Sequence, residues 1–206
     1  MNAMETHIRD TYKSIAAPSE GLYKELGSRF IAKSFPVSSE TEAMAMVEAQ
    51  RKKYHDARHN CFAYRLGPEG KLWRASDDGE PSSSAGRPIL GAILSEDLSD
   101  IVIVVTRYFG GIKLGVPGLI RAYRSASSDA LANAEKVEKV AVRAFTVNFG
   151  YASMEQVQRL FKDMSLPQEE RDFGLDCRIR TGVRLSAVDD FLERVSRIDG
   201  CEAKET

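Results

Sequence analysis

Apolar and polar residues alternate with a period of two along 27–37 and 58–67, which predicts two β-strands. The turn sequence GPEG at 67–70 then reverses the chain into KLWRAS, so the stretch 59–76 is predicted to be a hairpin. A nearly continuous apolar run, IVIVVTRYFG at 101–110, predicts a strand that is buried on both faces. We expect these strands to form one mixed sheet, in which the apolar strand is buried.

Helical patterns fill the segments between these strands. Ser39 precedes Glu42 by three residues, which is the spacing of a capping box and predicts a helix over 39–55. Pro88 suits the first turn of a helix over 87–96, and a third helix is predicted over 117–134. The first part of the chain therefore predicts an α/β sandwich.

A different pattern begins after residue 134. It predicts a strand at 140–150, a helix at 153–164, one or two strands within 171–183, a helix at 184–198 that ends at Gly200, and a closing strand within 201–206. This order is β-α-β-β-α-β, the split ferredoxin-like arrangement. The sequence thus predicts an α+β protein with two domains, 1–134 and 138–206.

Composition narrows the class of protein without identifying its activity. The 206 residues are 43% hydrophobic and 29% charged, which is typical of a globular chain. A formal net charge of −1 gives no overall attraction to nucleic acid, so such binding would need a local basic patch. The chain has no apolar run of membrane-spanning length, and its first ten residues lack the apolar central segment of a signal peptide. Its cysteines number three, which is an odd count and leaves at least one of them without a disulfide partner in the chain. These features favour a cytoplasmic protein with reduced cysteines.

Metal binding and thiol catalysis receive little support from the sequence. His55 and His59 are four residues apart, a spacing that binds a metal when both lie on one helix, but the pair spans a predicted helix end. Cys61 lies on a predicted strand, where a structural thiol is favoured over a nucleophile. We therefore expect no metal and no cofactor.

The stretch RASDDGEPSSSAGRP, at 74–88, combines an acidic turn with three serines that precede a predicted helix. Backbone N–H groups and serine hydroxyls at a helix start can hold an anion, whereas the alternative is that the serines cap the helix and fill the loop. The carboxylates favour turn formation over a magnesium site. The candidate residues are Ser82, Ser83, Ser84 and Arg87, with the acidic turn formed by Asp77, Asp78 and Glu80.

A second glycine-containing stretch, TRYFGGIKLGVPGLIRAYR at 106–124, follows the apolar strand. No acidic residue occurs from 101 to 128, so its basic and aromatic side chains are candidates for binding phosphates and stacking bases. The alternative is that its aromatic rings belong to the core and its arginines neutralise the acidic turn. The candidates are Arg107, Tyr108, Phe109, Lys113, Arg121 and Arg124.

These two stretches lead to a specific structural expectation. Asp78 or Glu80 is predicted to lie within ion-pair distance of Arg107 or Lys113. The positive charge left for nucleic acid would then belong mainly to Arg121 and Arg124.

The same stretches resemble the signature sequences of the YigZ/IMPACT family. The similar blocks are ASDDGEPSSSAGRPIL, the apolar strand, RYFGGIKLGVPGLIRAY, EGLYKELGSRFIA and HDARHNCFAYRLG, which together span most of 11–134. Pro117 replaces a glycine that is common in the family. The resemblance implies a first domain similar in fold to a ribosomal-protein domain and a smaller ferredoxin-like second domain.

The function that this resemblance implies is linked to translation. Eukaryotic members of the family modulate translation initiation by engaging the activator of an amino-acid-starvation kinase. The resemblance therefore implies a non-enzymatic factor that binds RNA, the ribosome or a translation-regulating protein, and no membrane. The alternative function is that of a phosphate-handling enzyme that uses the loop of Ser82, Ser83 and Ser84.

Overall fold

The computed structural model describes residues 10–174 and 176–206. The chain divides into two compact units, Tyr12–Lys139 and a second unit that contains Val140–Thr206 with described residues 10 and 11. Among the described residues, no helix has both the length and the apolar character that crossing a membrane requires. The predicted limits 1–134 and 138–206 remain a prediction about which parts fold alone.

The first unit contains a five-stranded sheet, a two-stranded sheet and three helices. Its elements are β1 (Thr11–Ile15), β2 (Ser19–Glu25), β3 (Ser28–Pro36), α1 (Glu40–Lys53), β4 (His59–Leu66), β5 (Leu72–Ser76), α2 (Gly86–Ser95), β6 (Ile101–Tyr108), α3 (Gly115–Ala132) and β7 (Lys136–Val140). The large sheet has the order β2-β3-β6-β4-β5, and β1 pairs with β7.

The direction of the strands corrects one prediction. All four pairings of the large sheet are antiparallel, so the expected mixed sheet is wrong. The apolar run in β6 is buried on both faces because helices cover both sides of an antiparallel sheet. Val102 and Val104 pack in the cluster that contains Val47 of α1, whereas Ile103 and Val105 pack in the cluster formed with α2 and α3. Full burial of such a side chain contributes about 1.5–3 kcal/mol.

Local sequence rules hold at α1 and at the hairpin. The hydroxyl of Ser39 accepts a hydrogen bond from the backbone N–H of Glu42 at 3.2 Å, which confirms the predicted N-cap. The Glu42 carboxylate accepts from the N–H of Ser38 at 2.7 Å, one residue earlier than a capping box requires. Strands β4 and β5 pair as the predicted hairpin.

The second unit has the predicted ferredoxin-like arrangement. Its elements are β8 (Val142–Phe149), α4 (Met154–Asp163), β9 (Glu170–Phe173), β10 (Cys177–Arg184), α5 (Val188–Ser196) and β11 (Cys201–Glu205). The antiparallel sheet has the order β11-β8-β10-β9, and the region left as one or two strands forms two. One face of the sheet packs on both helices through Val147, Ile179, Phe161 and Phe191.

Candidate functional site

A cleft of about 810 Å³ lies in the first unit, where β6 ends and α3 begins. Arg107 of β6 is the central residue of the cleft. The register of the sheet places it directly opposite Phe30 of β3 and His59 of β4. Directly opposed residues of antiparallel strands share one face of the sheet, so these three side chains form a row. The first residues of α3, Gly115 and Val116, line the other side of the cleft.

A buried ion pair holds the base of the cleft. The guanidinium of Arg107 donates to Glu80 Oε1 at 2.7 Å, and the two side chains are only 9% and 4% exposed. The Tyr123 hydroxyl donates to the same oxygen at 2.8 Å. This geometry confirms the expected ion pair between the acidic turn and the basic stretch. Because a buried pair gains little net stability, its main consequence is to fix the position of the Arg107 guanidinium.

Aromatic rings enclose the same guanidinium. Its central carbon lies 5.5 Å from the ring centroid of Phe30 and 5.6 Å from that of Phe109. The loop that carries Phe109 depends on Gly110, since a Cβ there would lie 1.9 Å from the backbone of Gly27. The close approach of these two backbones therefore positions Phe109 beside Arg107.

Two groups behind the cleft are held in their neutral forms. Burial raises the pKa of the Cys61 thiol and that of the Tyr123 hydroxyl well above their ordinary values. Cys61 Sγ lies 3.0 Å from the carbonyl oxygen of Asp77 and 3.3 Å from the Tyr123 oxygen. A buried, protonated thiol is a poor nucleophile, which agrees with a structural role for Cys61.

His59 is oriented by the backbone of the acidic turn. Its Nδ1 lies 2.8 Å from the carbonyl oxygen of Asp78, and because a carbonyl only accepts, Nδ1 carries a proton. The Asp78 carboxylate accepts from the N–H of Asn60 at 2.7 Å and from Arg51 at 2.8 Å. Both aspartates of the turn are thus engaged within the fold, in agreement with the turn interpretation.

The N-terminus of α2 already contains an anion, which is the carboxylate of Asp77. It accepts hydrogen bonds from the N–H groups of Ser83, Ala85 and Gly86 at 2.8, 3.0 and 2.8 Å. Burial acts to raise the pKa of Asp77, but the three N–H bonds outweigh it and hold that pKa below its ordinary value. This carboxylate occupies the position that sequence patterns assigned to an external anion.

The serines of this loop correct the anion-site hypothesis further. Ser84 is fully buried, and its hydroxyl donates to the carbonyl of Pro81 at 2.6 Å, while Ser82 and Ser83 are exposed. None of the three lines the cleft in the described residues. The phosphate-handling alternative, which depended on these serines, stays a prediction, and the contacts of these three residues add no support to it.

Within the part of the chain that the structure describes, no carboxylate caps the N-terminus of α3. Its N-cap is Leu114, which has no acceptor group, and the first turn contains no acidic residue. Leu114 and the first two helical residues line the cleft, and Lys113 lies beside them. Because the first N–H groups of a helix carry partial positive charge, this end of α3 makes the cleft more positive.

The remaining candidates divide between the cleft and other surfaces. Tyr108 lines the cleft and donates to Asp56 at 2.6 Å, and the exposed ring of Phe109 lies at its rim. The other three candidates do not line it. Arg87 stacks on the ring of Trp73, Arg121 forms an ion pair with Glu25, and Arg124 is exposed on α3.

The structure also adds residues that were not predicted for the site. Arg58 and His59 line the cleft beside Arg107 and Lys113. In the sequence, His59 was considered only as half of a weakly supported metal pair with His55, and both residues lie in the block HDARHNCFAYRLG that resembles the family. Strand pairing, which brings β4 beside β6, makes them part of this site.

Comparison with known proteins identifies the family. The Impact N-terminal domain matches residues 26–131. The chain is also 34% identical over 171 residues to IMPACT family member YvyE of Bacillus subtilis, a match that covers 83% of this chain and 79% of the relative. The chain belongs to the IMPACT family. The family resemblance inferred from the glycine-containing stretches is thereby confirmed.

Other IMPACT proteins match both units. IMPACT family member YigZ of Escherichia coli is 29% identical over 183 residues, covering 88% of this chain and 90% of the relative. A crystal structure of a hypothetical protein has a TM-score of 0.73 at 27% identity, and the match covers 95% of this chain and 97% of that one. The α+β architecture is therefore shared over nearly the full length.

Proposed function

We propose that this chain is a translation-linked factor that binds RNA through the cleft between β6 and α3. The link to translation comes from membership of the IMPACT family, whereas the choice of RNA comes from the chemistry of the cleft. A cytoplasmic location and the absence of a catalytic step remain predictions from the sequence.

One observation carries the proposal: an exposed aromatic ring stands among uncompensated basic side chains. Phe109 is 56% exposed at the cleft, where a base can stack on it. Arg58 and Lys113 line the same cleft and form no ion pair within the described residues. Stacking surfaces beside unpaired cations are typical of proteins that bind single-stranded nucleic acid.

The acidic residues of the cleft cancel only part of its positive charge. Glu80 is paired with Arg107 and accepts from Tyr123. Asp56 accepts from the neutral hydroxyl of Tyr108, which holds the pKa of Asp56 below its ordinary value and leaves its negative charge in place. The cations that line the cleft, which are Arg58, Arg107 and Lys113, still outnumber these two carboxylates, so the cleft keeps a net positive charge for binding phosphates.

The proposal is tested by removing these two charges together. In the Arg58→Ala, Lys113→Ala double variant, we expect weaker binding of a short single-stranded RNA. The slope of log affinity against log salt should fall by about 0.7 for each lost phosphate contact. Stability should change little, because exposed charges contribute little to folding.

The matched control is the Arg121→Ala, Arg124→Ala double variant. It removes the same charge from α3 outside the cleft, and the sequence alone had assigned RNA binding to this pair. We expect its salt slope to stay near that of the unmodified protein. An unchanged affinity in the cleft variant, or a larger loss in the control, would contradict RNA binding in the cleft and favour a protein partner for this face.

A further inference from the structure

The N-terminus of α3 has the properties of an anion site that the fold leaves open. The helix is 18 residues long, begins at the cleft and is capped by no side chain in the described part of the chain. The first N–H groups of a helix have no partner within it, and they point toward a ligand placed at its N-terminus. Pro117 in the first turn has no N–H, so the donors that α3 offers are the N–H groups of Gly115 and Val116. The neighbouring helix α2 fills the equivalent position with Asp77.

A second observation points to a ligand at the same place. Arg107 lines the cleft with a side chain that is only 9% exposed, and its Nε is buried without a hydrogen-bond partner in residues 10–174 and 176–206. A buried guanidinium N–H without an acceptor is unfavourable, so an incoming oxygen that accepts from it gains free energy. The ring of Phe109, which is 56% exposed, packs over this guanidinium and separates it from solvent on that side.

The charges that face this position favour an anion. Lys113 and Arg58 line the cleft and form no ion pair among the residues that the structure describes. The carboxylate of Glu80 is paired with Arg107, whereas Asp56 accepts only from the neutral hydroxyl of Tyr108, so the cations that line the cleft outnumber its carboxylates. The position therefore combines N–H donors, a buried guanidinium and an ammonium group.

We propose that this cleft binds a phosphate monoester at the N-terminus of α3, with Arg107 and Lys113 on its oxygens. The phosphate is the 5′-phosphate of an RNA end or of a free nucleotide. A monoester reaches the base of the cleft with three free oxygens, whereas an internal diester has two and must carry the chain away in both directions. The RNA form of this inference rests on the proposed function, but the phosphate chemistry stands without it.

The test compares the same short single-stranded RNA with a 5′-phosphate and with a 5′-hydroxyl, and adenosine 5′-monophosphate with adenosine. In the unmodified protein, we expect the phosphorylated member of each pair to bind about tenfold more tightly, as expected for hydrogen bonds to a charged group. The Val116→Asp variant places a carboxylate in the first turn of α3, so it should abolish this preference. Ile120→Asp makes the same charge change one turn further along the exposed face and should retain it.

Each outcome has a defined meaning, and thermal unfolding of both variants checks that they fold. Equal affinity for the two RNAs, together with equal affinity for adenosine 5′-monophosphate and adenosine, overturns the phosphate site. RNA binding itself would still support the proposed function. Binding of the monophosphate without binding of either RNA supports the phosphate site and contradicts the proposed function. A preference that survives in Val116→Asp overturns the inference, because the phosphate must then lie elsewhere.

Discussion

The N-termini of α2 and α3 differ in what satisfies their first backbone N–H groups. At α2, the Asp77 carboxylate accepts from Ser83, Ala85 and Gly86. At α3, the N-cap is Leu114 and no acidic residue occupies the first turn. The first N–H groups of α2 are therefore satisfied by a carboxylate of the chain, while the N-terminus of α3 faces a cleft lined by Arg107 and Lys113.

This difference teaches that a serine-rich helix start is a weak indicator of an anion site. The serines before α2 attracted attention because their type and position match known phosphate loops. The deciding residue is instead Asp77, nine positions before Gly86, whose carboxylate bends the loop back onto the helix. The site that we propose is at α3, whose N-terminus is capped by no side chain of the described residues.

The largest expected effect is at the base of the open cleft. Glu80→Ala should lower the free energy of unfolding by about 3–5 kcal/mol, because it leaves the Arg107 guanidinium buried and unpaired. It also removes the acceptor of the Tyr123 hydroxyl. Urea unfolding measures the loss, and Glu80→Gln, which keeps an acceptor of similar size, should lose less. A Glu80→Ala variant as stable as the unmodified protein would contradict a structural role for the pair.

The next largest effect tests whether the Asp77 carboxylate satisfies the N–H groups at the N-terminus of α2. Asp77→Ala should lower the free energy of unfolding by about 2 kcal/mol, the upper range for loss of a helix cap, because three N–H groups lose their acceptor. Asp77→Asn retains an acceptor oxygen and should lose less. Chemical denaturation of both variants decides the point. If the alanine variant unfolds like the unmodified protein, Asp77 does not close this helix start.

The pH dependence of stability gives a smaller effect with a defined sign. The pKa of Asp77 is held below its ordinary value in the folded protein. Its carboxylate therefore stabilises the fold above the pKa of the unfolded chain, and this stabilisation is lost as pH falls through the folded pKa. The stability difference between the unmodified protein and Asp77→Asn should shrink as pH falls from about 5 to about 2. A difference that grows in acid would contradict this assignment.

The smallest expected effect comes from adding a carboxylate to the N-terminus of α3 by substitution. Val116→Asp should raise the free energy of unfolding by about 0.3–1 kcal/mol at low salt, because a carboxylate in the first turn interacts favourably with the helix dipole. Ile120→Asp is the control, since it lies beyond the first turn on the same exposed side. Thermal unfolding at low and high salt compares the two. Equal effects in both variants would show that the N-terminus of α3 is not an uncompensated positive end.

Local patterns were sufficient for much of the fold. The hairpin, the N-cap at Ser39 and the doubly buried strand β6 each depend on neighbouring residues, and all three predictions are confirmed. The ferredoxin-like order was predictable because its helices carry clear apolar faces. The ion pair between Glu80 and Arg107 was predictable from the opposite charges of the acidic turn and of the basic stretch that begins at the end of β6.

Non-local geometry was outside the reach of the sequence. Strands β1 and β7 pair although the rest of the first unit separates them, so neither shows its partner in a local pattern. β2 was missed because it is mostly polar and has no regular apolar alternation, and it fits against α3 only because Gly21 has no side chain. A Cβ there would lie 2.2 Å from the backbone nitrogen of Ala130. Strand direction, which made the mixed-sheet prediction wrong, is also a property of the assembled sheet.

The candidate site shows the same limit. Arg107 and His59 are far apart in the chain and meet only through the pairing of β6 with β4. Arg121 and Arg124 are close to Arg107 in sequence, but helix α3 carries them away from the cleft, and Arg121 pairs with Glu25. Proximity in sequence therefore grouped side chains that the fold places on two different surfaces.

The contrast between the two helix starts is tested most directly by a titration with inorganic phosphate that is followed by NMR at the backbone amides. The account predicts that the amide resonances of Gly115 and Val116 shift in a saturable way, while those of Ala85 and Gly86 do not, because Asp77 already occupies their N–H groups. Saturable shifts at Ala85 and Gly86, or none at Gly115 and Val116, would contradict it.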